Sequence, residues 1–213
     1  MASVIDVVRH LDKYLVDIVG QYGTLTYAIL ALVVLCETGL VVLPFLPGDS
    51  LLFAAGAVCG LEGSKLNVGV LMALLIVAAI VGDTLNYHVG KFLGPRVMKN
   101  TESKWLNPAH LQRTADFFAK YGGKTIILAR FVPIVRTFAP FVAGAGAMSY
   151  GKFITFNVVG AIAWVVSMTM AGFWLGQLEV VKSHFELIVL GIVGISVLPM
   201  VVELWRAKRS EGV

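Results

Sequence analysis

Four ionisable residues lie inside apolar stretches of this sequence, namely Glu37, Asp49, Arg130 and Arg136. Stretches of this kind are typical of membrane segments. A charge near the bilayer centre costs about 2.5–3.5 kcal/mol, so four unpaired charges would cost on the order of 10 kcal/mol. That sum is comparable to the whole stability of many domains. We therefore expect these side chains to be paired, hydrated or bound to a ligand.

Arg130 and Arg136 have the chemistry of an anion site. On an unbroken helix their side chains would point about 240° apart, but a break at Pro133 lets both turn towards one cavity. Two planar guanidinium forks suit a phosphate, which they bind bidentately, and their charge survives burial. Half-helix N-termini after Pro47 and around Pro140 would add backbone N–H donors to the same anion.

Glu37 and Asp49 allow two interpretations. In the first they only neutralise Arg130 and Arg136, as structural counter-ions. In the second one or both take up a proton during a transport cycle. Burial opposes the charged form of a carboxylate and a neighbouring arginine favours it, so protonation would depend on the conformation that separates them. The residues alone leave both interpretations open.

Asp83, Asn86 and Tyr87 are weaker candidates, as residues that line a cavity. They stand near the end of an apolar run, where the polar headgroup layer of the membrane is an equally good place for them. The four tryptophans, Trp164 among them, are expected to be interface anchors. No histidine stands at metal-ligand spacing from another histidine or a cysteine, so we expect neither a metal nor a cofactor.

The composition predicts an integral membrane protein. Of the 213 residues, 58% are hydrophobic and only 14% are charged, far less polar surface than a soluble domain of this size needs. The length fits one membrane domain over 1–213. The formal net charge of +4 is too small and too scattered to indicate nucleic-acid binding.

The elements that must position these residues are helices, two of them broken. Pro44, Pro47 and Gly48 interrupt the first apolar stretch, and Pro133 and Pro140 interrupt a later one. Irregular backbone at membrane depth survives where protein or water covers it. The predicted order is an amphipathic interfacial helix over 3–20, a re-entrant hairpin over 24–60, a membrane helix over 67–90, a polar segment over 91–124, a second re-entrant hairpin over 125–148, and membrane helices over 152–176 and 185–205.

The two broken stretches resemble each other. Phe-Ala-Ala-Gly-Ala over 53–57 matches Phe-Val-Ala-Gly-Ala over 141–145. Each hairpin is followed by a membrane helix that ends in two glycines four residues apart: Gly90 and Gly94, then Gly172 and Gly176. A broken segment plus a helix, occurring twice, indicates a transporter with its site between the halves. The alternative is that small residues recur because they allow close helix packing.

The basic residues predict the orientation. Most Lys and Arg lie in 91–124 and in the carboxy-terminal tail, so both are expected to face the cytoplasm. The hairpin over 125–148 then enters from the cytoplasm and the hairpin over 24–60 from the outer side. The predicted fold is therefore all-α, an inverted repeat of two hairpins each followed by a membrane helix.

The motifs resemble those of the DedA family of VTT-domain proteins. They comprise Glu37 through Phe45-Leu46-Pro47-Gly48-Asp49-Ser50 to Gly56, Arg130 followed by Phe131-Val132-Pro133-Ile134-Val135-Arg136-Thr137, Gly82-Asp83 and Asn86-Tyr87. The resemblance covers almost the full chain. It implies a multi-pass protein of the bacterial inner membrane, related to eukaryotic lipid scramblases. It also places the family's essential acidic and basic positions on Glu37, Asp49, Arg130 and Arg136.

The resemblance further implies recycling of undecaprenyl phosphate, the carrier lipid of cell-wall precursors, and a link to the proton motive force. The leading hypothesis is a flippase whose lipid phosphate headgroup sits on Arg130 and Arg136, with protons as a possible second partner. Some relatives handle other phospholipids. The oligomeric state stays open.

Two other function classes compete with the flippase. One is a proton-coupled exchanger of small solutes or cations that bind Glu37 and Asp49, although two arginines repel a cation. The other is an intramembrane enzyme acting on lipid phosphates. No histidine follows Arg130 or Arg136 before His184, so the nucleophile of such phosphatases is missing. We therefore expect no enzymatic activity.

Overall fold

The computed structural model describes residues 20–40, 48–61, 63–97 and 108–178. Three parts of the predicted chain lie outside these ranges. They are residues 3–19 of the expected amphipathic helix, the prolines Pro44 and Pro47, and the expected membrane helix over 185–205. Within them every regular element is helical, and the all-α class is thereby confirmed. The re-entrant course of 24–60 and 125–148 stays a prediction.

The helices of the described ranges are labelled α1 to α7 in chain order. They are α1 Thr24–Gly39, α2 Gly48–Gly60, α3 Val68–Val97, α4 Pro108–Tyr121, α5 Thr125–Ala129, α6 Pro133–Val142 and α7 Tyr150–Gly176. A 3₁₀ turn over Gly122–Lys124 joins α4 to α5, and a π-helical turn over Ala143–Ala147 follows α6. Within the described ranges, two stretches are long and apolar enough to cross a membrane, Val68–Gly94 in α3 and Tyr150–Gly176 in α7.

Helix α3 is longer than expected. The sequence predicted its end at residue 90, where the polar stretch over 91–124 begins. In the structure α3 continues through Gly90 and Gly94 to Val97. Both glycines are packing positions inside the helix, where neighbouring backbone comes too close for a Cβ. Residues 91–97 of the expected polar segment over 91–124 therefore belong to α3.

The break in the second apolar stretch lies at residues 130–132. Helix α5 ends at Ala129, Val132 is extended with φ −120° and ψ 104°, and Pro133 is the first residue of α6. Pro140, expected as a second break, lies inside α6 instead. The helix continues through Pro140 although proline has no backbone N–H group to donate. The next irregular residue is Gly146, with φ +134°, a conformation that glycine adopts without a steric penalty.

The described residues divide into two compact units. The A unit comprises residues 20–28, 48–61, 63–71 and 167–178, and the B unit comprises residues 29–40, 72–97 and 108–166.

In the B unit, α6 and its π-helical turn lie against the carboxy-terminal half of α3. A Cβ at Gly90 would overlap the carbonyl group of Phe141, and a Cβ at Gly144 would overlap the carbonyl group of Tyr87. Each helix thus supplies a glycine where the carbonyl of the other approaches. Small residues that let backbones approach closely are a common way for membrane helices to associate.

The A unit repeats this contact between α2 and α7. A Cβ at Gly172 would overlap the carbonyl group of Phe53, and a Cβ at Gly56 would overlap that of Thr169. These residues occupy the same places in the sequence repeat as their counterparts in the B unit. The repeated motif therefore corresponds to a repeated packing contact. Helix α6 packs against α3, which follows α2 in the chain. Helix α2 in turn packs against α7, which follows α6.

We expect Gly90→Ala and Gly172→Ala each to lower the free energy of unfolding by about 1–3 kcal/mol, because the added methyl group must displace backbone. Thermal unfolding in detergent micelles measures the change. Gly151→Ala is the matched control, since no atom lies within 4 Å of its added Cβ. Equal melting temperatures for Gly90→Ala and Gly151→Ala would contradict the reciprocal glycine contact.

Candidate functional site

Two arginines approach the same indole ring in the B unit. The break at 130–132 turns the chain between α5 and α6, so that Arg130 and Arg136 both reach Trp164 on α7. The guanidinium carbon Cζ lies 5.7 Å from the centroid of the Trp164 ring for Arg130 and 4.1 Å for Arg136. A cation within about 6 Å of an aromatic face is attracted by it. Trp164 is fully buried, so it is no interface anchor, contrary to the expectation.

Arg130 is held by side chains of two long helices. Its Nη2 donates to Oδ2 of Asp83 on α3, at 2.5 Å, and to Oδ1 of Asn157 on α7, at 2.7 Å. The Asn157 amide nitrogen in turn donates to the carbonyl oxygen of Ile80 at 3.2 Å. Arg130 and Asp83 are both buried. These contacts join α3, α7 and the turn before α6 through one buried charge pair.

Arg136 forms an ion pair with Glu37. Its Nη2 lies 2.9 Å from Oε1 of Glu37, and the two side chains are 11% and 7% exposed. The pair connects α6 to the end of α1. One face of the guanidinium group lies over Trp164. Stacking of this kind leaves the N–H groups in the guanidinium plane available to acceptors, which is the geometry that recognises carboxylate and phosphate.

The four charges of this cluster cancel. Glu37 and Asp83 carry one negative charge each, and Arg130 and Arg136 one positive charge each. Buried charges persist only where partners and hydrogen bonds offset the loss of hydration. The two pairs therefore explain how four ionised groups are accommodated in an apolar chain. We call Glu37, Asp83, Arg130 and Arg136 the charge cluster.

Asn86 fixes the helices that carry the cluster. Its amide nitrogen donates to the backbone carbonyl oxygen of Thr38 on α1, at 3.2 Å, and to that of Thr137 on α6, at 3.0 Å. Asn86 is fully buried. One turn earlier, Gly82 leaves room for the Thr38 side chain against α3. Asn86 thus ties together the residues adjoining Glu37 and Arg136.

The structure brings some of the residues expected at the site together. Glu37, Arg130 and Arg136 meet in the B unit, together with Asp83 and Asn86. Asp83 and Asn86 are buried in the middle of α3, and not at a helix end near the headgroups.

Two further residues were expected at the site, Tyr87 and Asp49. Tyr87 packs in the hydrophobic core, with its ring stacked 4.6 Å from that of Phe153, and its hydroxyl donates to the carbonyl oxygen of Met148. It is therefore a core residue. Asp49 lies in the first turn of α2, in the A unit. A carboxylate at this position is favoured by the helix dipole.

The sequence did not point to Asn157 as a site residue, and Trp164 was expected at the membrane interface instead. Both lie on α7, two helical turns apart and therefore on one face. Gly160 lies between them on that face and packs against Arg130. A signal existed: Asn157 is an isolated amide in an apolar run, and an amide in a membrane helix needs a hydrogen-bond partner.

We expect Asp83→Asn to lower the free energy of unfolding by about 3–5 kcal/mol, because Arg130 would keep a buried charge without its counter-ion. Denaturation of the purified protein in detergent micelles measures the loss. Asp116→Asn is the matched control, because Asp116 is exposed on α4; a change within about 0.5 kcal/mol is expected there. Equal stability of the two variants would show that the Asp83–Arg130 pair is unimportant for folding.

The residues of this site can be compared with those of known proteins. The model of the VTT domain matches residues 46–173, which contain most of the charge cluster. The chain is 52% identical to "Protein DedA" of Escherichia coli strain K12, over 97% of this chain and 94% of that protein. It is 39% identical to "Uncharacterized membrane protein Rv0364" of Mycobacterium tuberculosis strain H37Rv, over 90% and 85%.

A more distant relative is 31% identical, over 85% of both chains: "Inner membrane protein YqjA" of Escherichia coli strain K12. No solved structure matches this chain.

Proposed function

The chain belongs to the DedA family of VTT-domain membrane proteins, and on that premise we propose that it is a flippase for an anionic lipid phosphate. The proposed substrate is undecaprenyl phosphate, returned across the bacterial inner membrane for reuse as a carrier lipid. The protein is proposed to be multi-pass with a cytoplasmic carboxy terminus. It acts as a transporter and not as an enzyme.

The observation that carries this proposal is the convergence of the buried Arg130 and the partly buried Arg136 on the ring of Trp164. A guanidinium group carries a permanent charge, so an apolar protein that contains Arg130 and Arg136 must offset their loss of hydration. The planar fork of a guanidinium group matches the oxygens of a phosphate. A headgroup of this kind binds in the protein while its hydrocarbon tail remains in the bilayer.

The charge cluster argues against a cation as the substrate. Glu37 and Asp83 each lie beside an arginine, and the guanidinium charge repels any cation that approaches those carboxylates. An exchanger of cations would have to remove both arginines from its site. The cluster therefore supports an anionic substrate.

The decisive assay uses purified protein in liposomes of defined lipid composition. Undecaprenyl phosphate is placed in one leaflet, and its appearance in the other leaflet is followed with and without a pH gradient. Protein-dependent transfer supports the flippase, and acceleration by the gradient supports proton coupling. Transfer at the rate of protein-free liposomes contradicts the proposed function.

We expect Arg130→Ala and Arg136→Ala each to abolish transfer while the protein still inserts into the membrane. Lysine should also fail at one or both positions, because an ammonium group cannot replace a planar fork. Arg113→Ala is the matched control, since Arg113 is exposed on α4, and it should transfer normally. Normal transfer by both lysine variants would rule out bidentate phosphate binding.

Substitution of the carboxylates tests whether transport is coupled to protons. If Glu37 or Asp49 is the coupling carboxylate, then Glu37→Gln or Asp49→Asn mimics its protonated form. Transfer by that variant should continue but no longer respond to an imposed pH gradient. Transfer rates between pH 6 and 8, measured alongside thermal unfolding, test this. Lowered stability with unchanged pH dependence in both variants would leave the two acids as structural counter-ions.

A further inference from the structure

We infer that the two arginines have different roles. Arg136, stacked on Trp164, is the anion-binding residue, and the carboxylate of Glu37 is the anion that occupies it in this conformation. Arg130 is a positioning residue held by Asp83 and Asn157. This assignment rests on the proposed function, and it specifies which guanidinium group receives the lipid phosphate.

Arg130 is enclosed on several sides. Asp83 and Asn157 both accept from its Nη2. At the other edge of the guanidinium group, a Cβ added to Gly160 would lie 3.1 Å from Nε and 3.2 Å from Cδ. The backbone of α7 thus passes close to the Nε edge. Only 3% of the Arg130 side chain is exposed. A phosphate, with its several oxygens, has no space to approach it without removing Asp83 or Asn157.

Arg136 has the geometry of a residue that can exchange one anion for another. Trp164 supports one face of its guanidinium group at 4.1 Å from the ring centroid. That contact is independent of whichever anion lies at the edge of the group. Glu37 supplies such an anion, 2.9 Å away. The Arg136 side chain is also the more exposed of the two arginines, at 11% against 3%.

Carboxylate and phosphate compete for the same guanidinium edge. Both present paired oxygens to the in-plane N–H groups of arginine, and both form charge-assisted hydrogen bonds with it. A lipid phosphate that binds Arg136 therefore displaces Glu37, and the guanidinium group remains neutralised throughout. The chemical class of ligand is a phosphate ester at the end of a hydrocarbon chain.

Positioning by Arg130 acts through the backbone. Arg130 precedes α6 and is tied to α3 and α7 by Asp83 and Asn157. These contacts fix the start of the helix that carries Arg136. Loss of the Arg130–Asp83 pair should therefore disturb the movement of the bound lipid more than its binding.

Binding can be measured apart from transport. A variant with Trp105, Trp174 and Trp205 changed to Phe keeps Trp164 as the single tryptophan. Its fluorescence reports anion exchange on Arg136, because the guanidinium group lies over the ring. The probes are undecaprenyl phosphate and, for the free anion, inorganic phosphate. A response to the lipid alone shows that the hydrocarbon chain is required, and a response to both shows that the phosphate suffices; either supports the site.

The test compares two charge-neutral double variants in this background. In Arg136→Gln with Glu37→Gln, the affinity for the probe should fall by about tenfold or more, the loss of one strong charge-assisted interaction. In Arg130→Gln with Asp83→Asn, the affinity should stay within about twofold, since a positioning pair makes no contact with the anion. The maximal rate of lipid transfer should nevertheless fall in the second variant. Arg113→Gln with Asp116→Asn, exposed on α4, is the control.

Single substitutions test the resident anion and the ring. Glu37→Gln should raise the affinity for the probe, because the competing carboxylate is gone. Trp164→Leu should raise the apparent KM for lipid transfer by about two- to thirtyfold, the range that a cation–π contact represents. Trp164→Phe keeps an aromatic face and should restore most of this loss. Restoration by Phe separates the π contact from mere volume.

The outcomes distinguish the assignment from the proposed function. Anion binding that requires Arg136 but no transfer of undecaprenyl phosphate by the wild-type protein overturns the flippase and keeps the assignment. Transfer by the wild type, with affinity lost in the Arg130–Asp83 variant and kept in the Arg136–Glu37 variant, overturns the assignment. Melting temperatures of all variants exclude unfolding as the cause.

Discussion

A guanidinium group keeps its charge in any protein environment, so the buried Arg130 and the partly buried Arg136 require negative charge close by. Here Glu37 and Asp83 supply it, on different helices, to Arg136 and Arg130. This requirement accounts for much of the surrounding B unit. The turn before Pro133 directs both arginines to Trp164, and Asn86 ties α1 and α6 to α3. The polar centre is thus a set of mutually dependent contacts between helices.

The helices that hold this centre approach each other through glycine. Reciprocal contacts of glycine with a neighbouring carbonyl group join α3 to α6 in the B unit and α7 to α2 in the A unit. The two contacts are alike, but the chemistry they carry is not. Asp49 precedes Phe53 by four residues, and Arg136 precedes Phe141 by five. Short helices with the same packing motif therefore carry an acid in one unit and a base in the other, a difference that a duplicated scaffold permits.

The pairing of Arg136 with Glu37 also suggests how one centre can serve both a resting and a bound state. A largely enclosed arginine without an anion would be unstable, so in the proposed exchange Glu37 and the lipid phosphate occupy the same edge alternately. The stacked Trp164 remains in place for either. In the proposed flippase, exchange of one anion for the other keeps the centre close to neutral while the lipid headgroup enters and leaves.

The sequence by itself determined the membrane class, the all-α fold, the break next to Pro133, the family, and the need for its buried charges to be paired. These follow from composition and from local spacing, which a single helix or turn expresses directly. Only the tertiary structure decided the partners: Asp83 and Asn157 lie 47 and 27 positions from Arg130. It also showed that Pro140 lies inside α6 and that α3 continues past Gly90. Such features depend on the register between packed helices, which close glycine contacts set and local periodicity cannot specify.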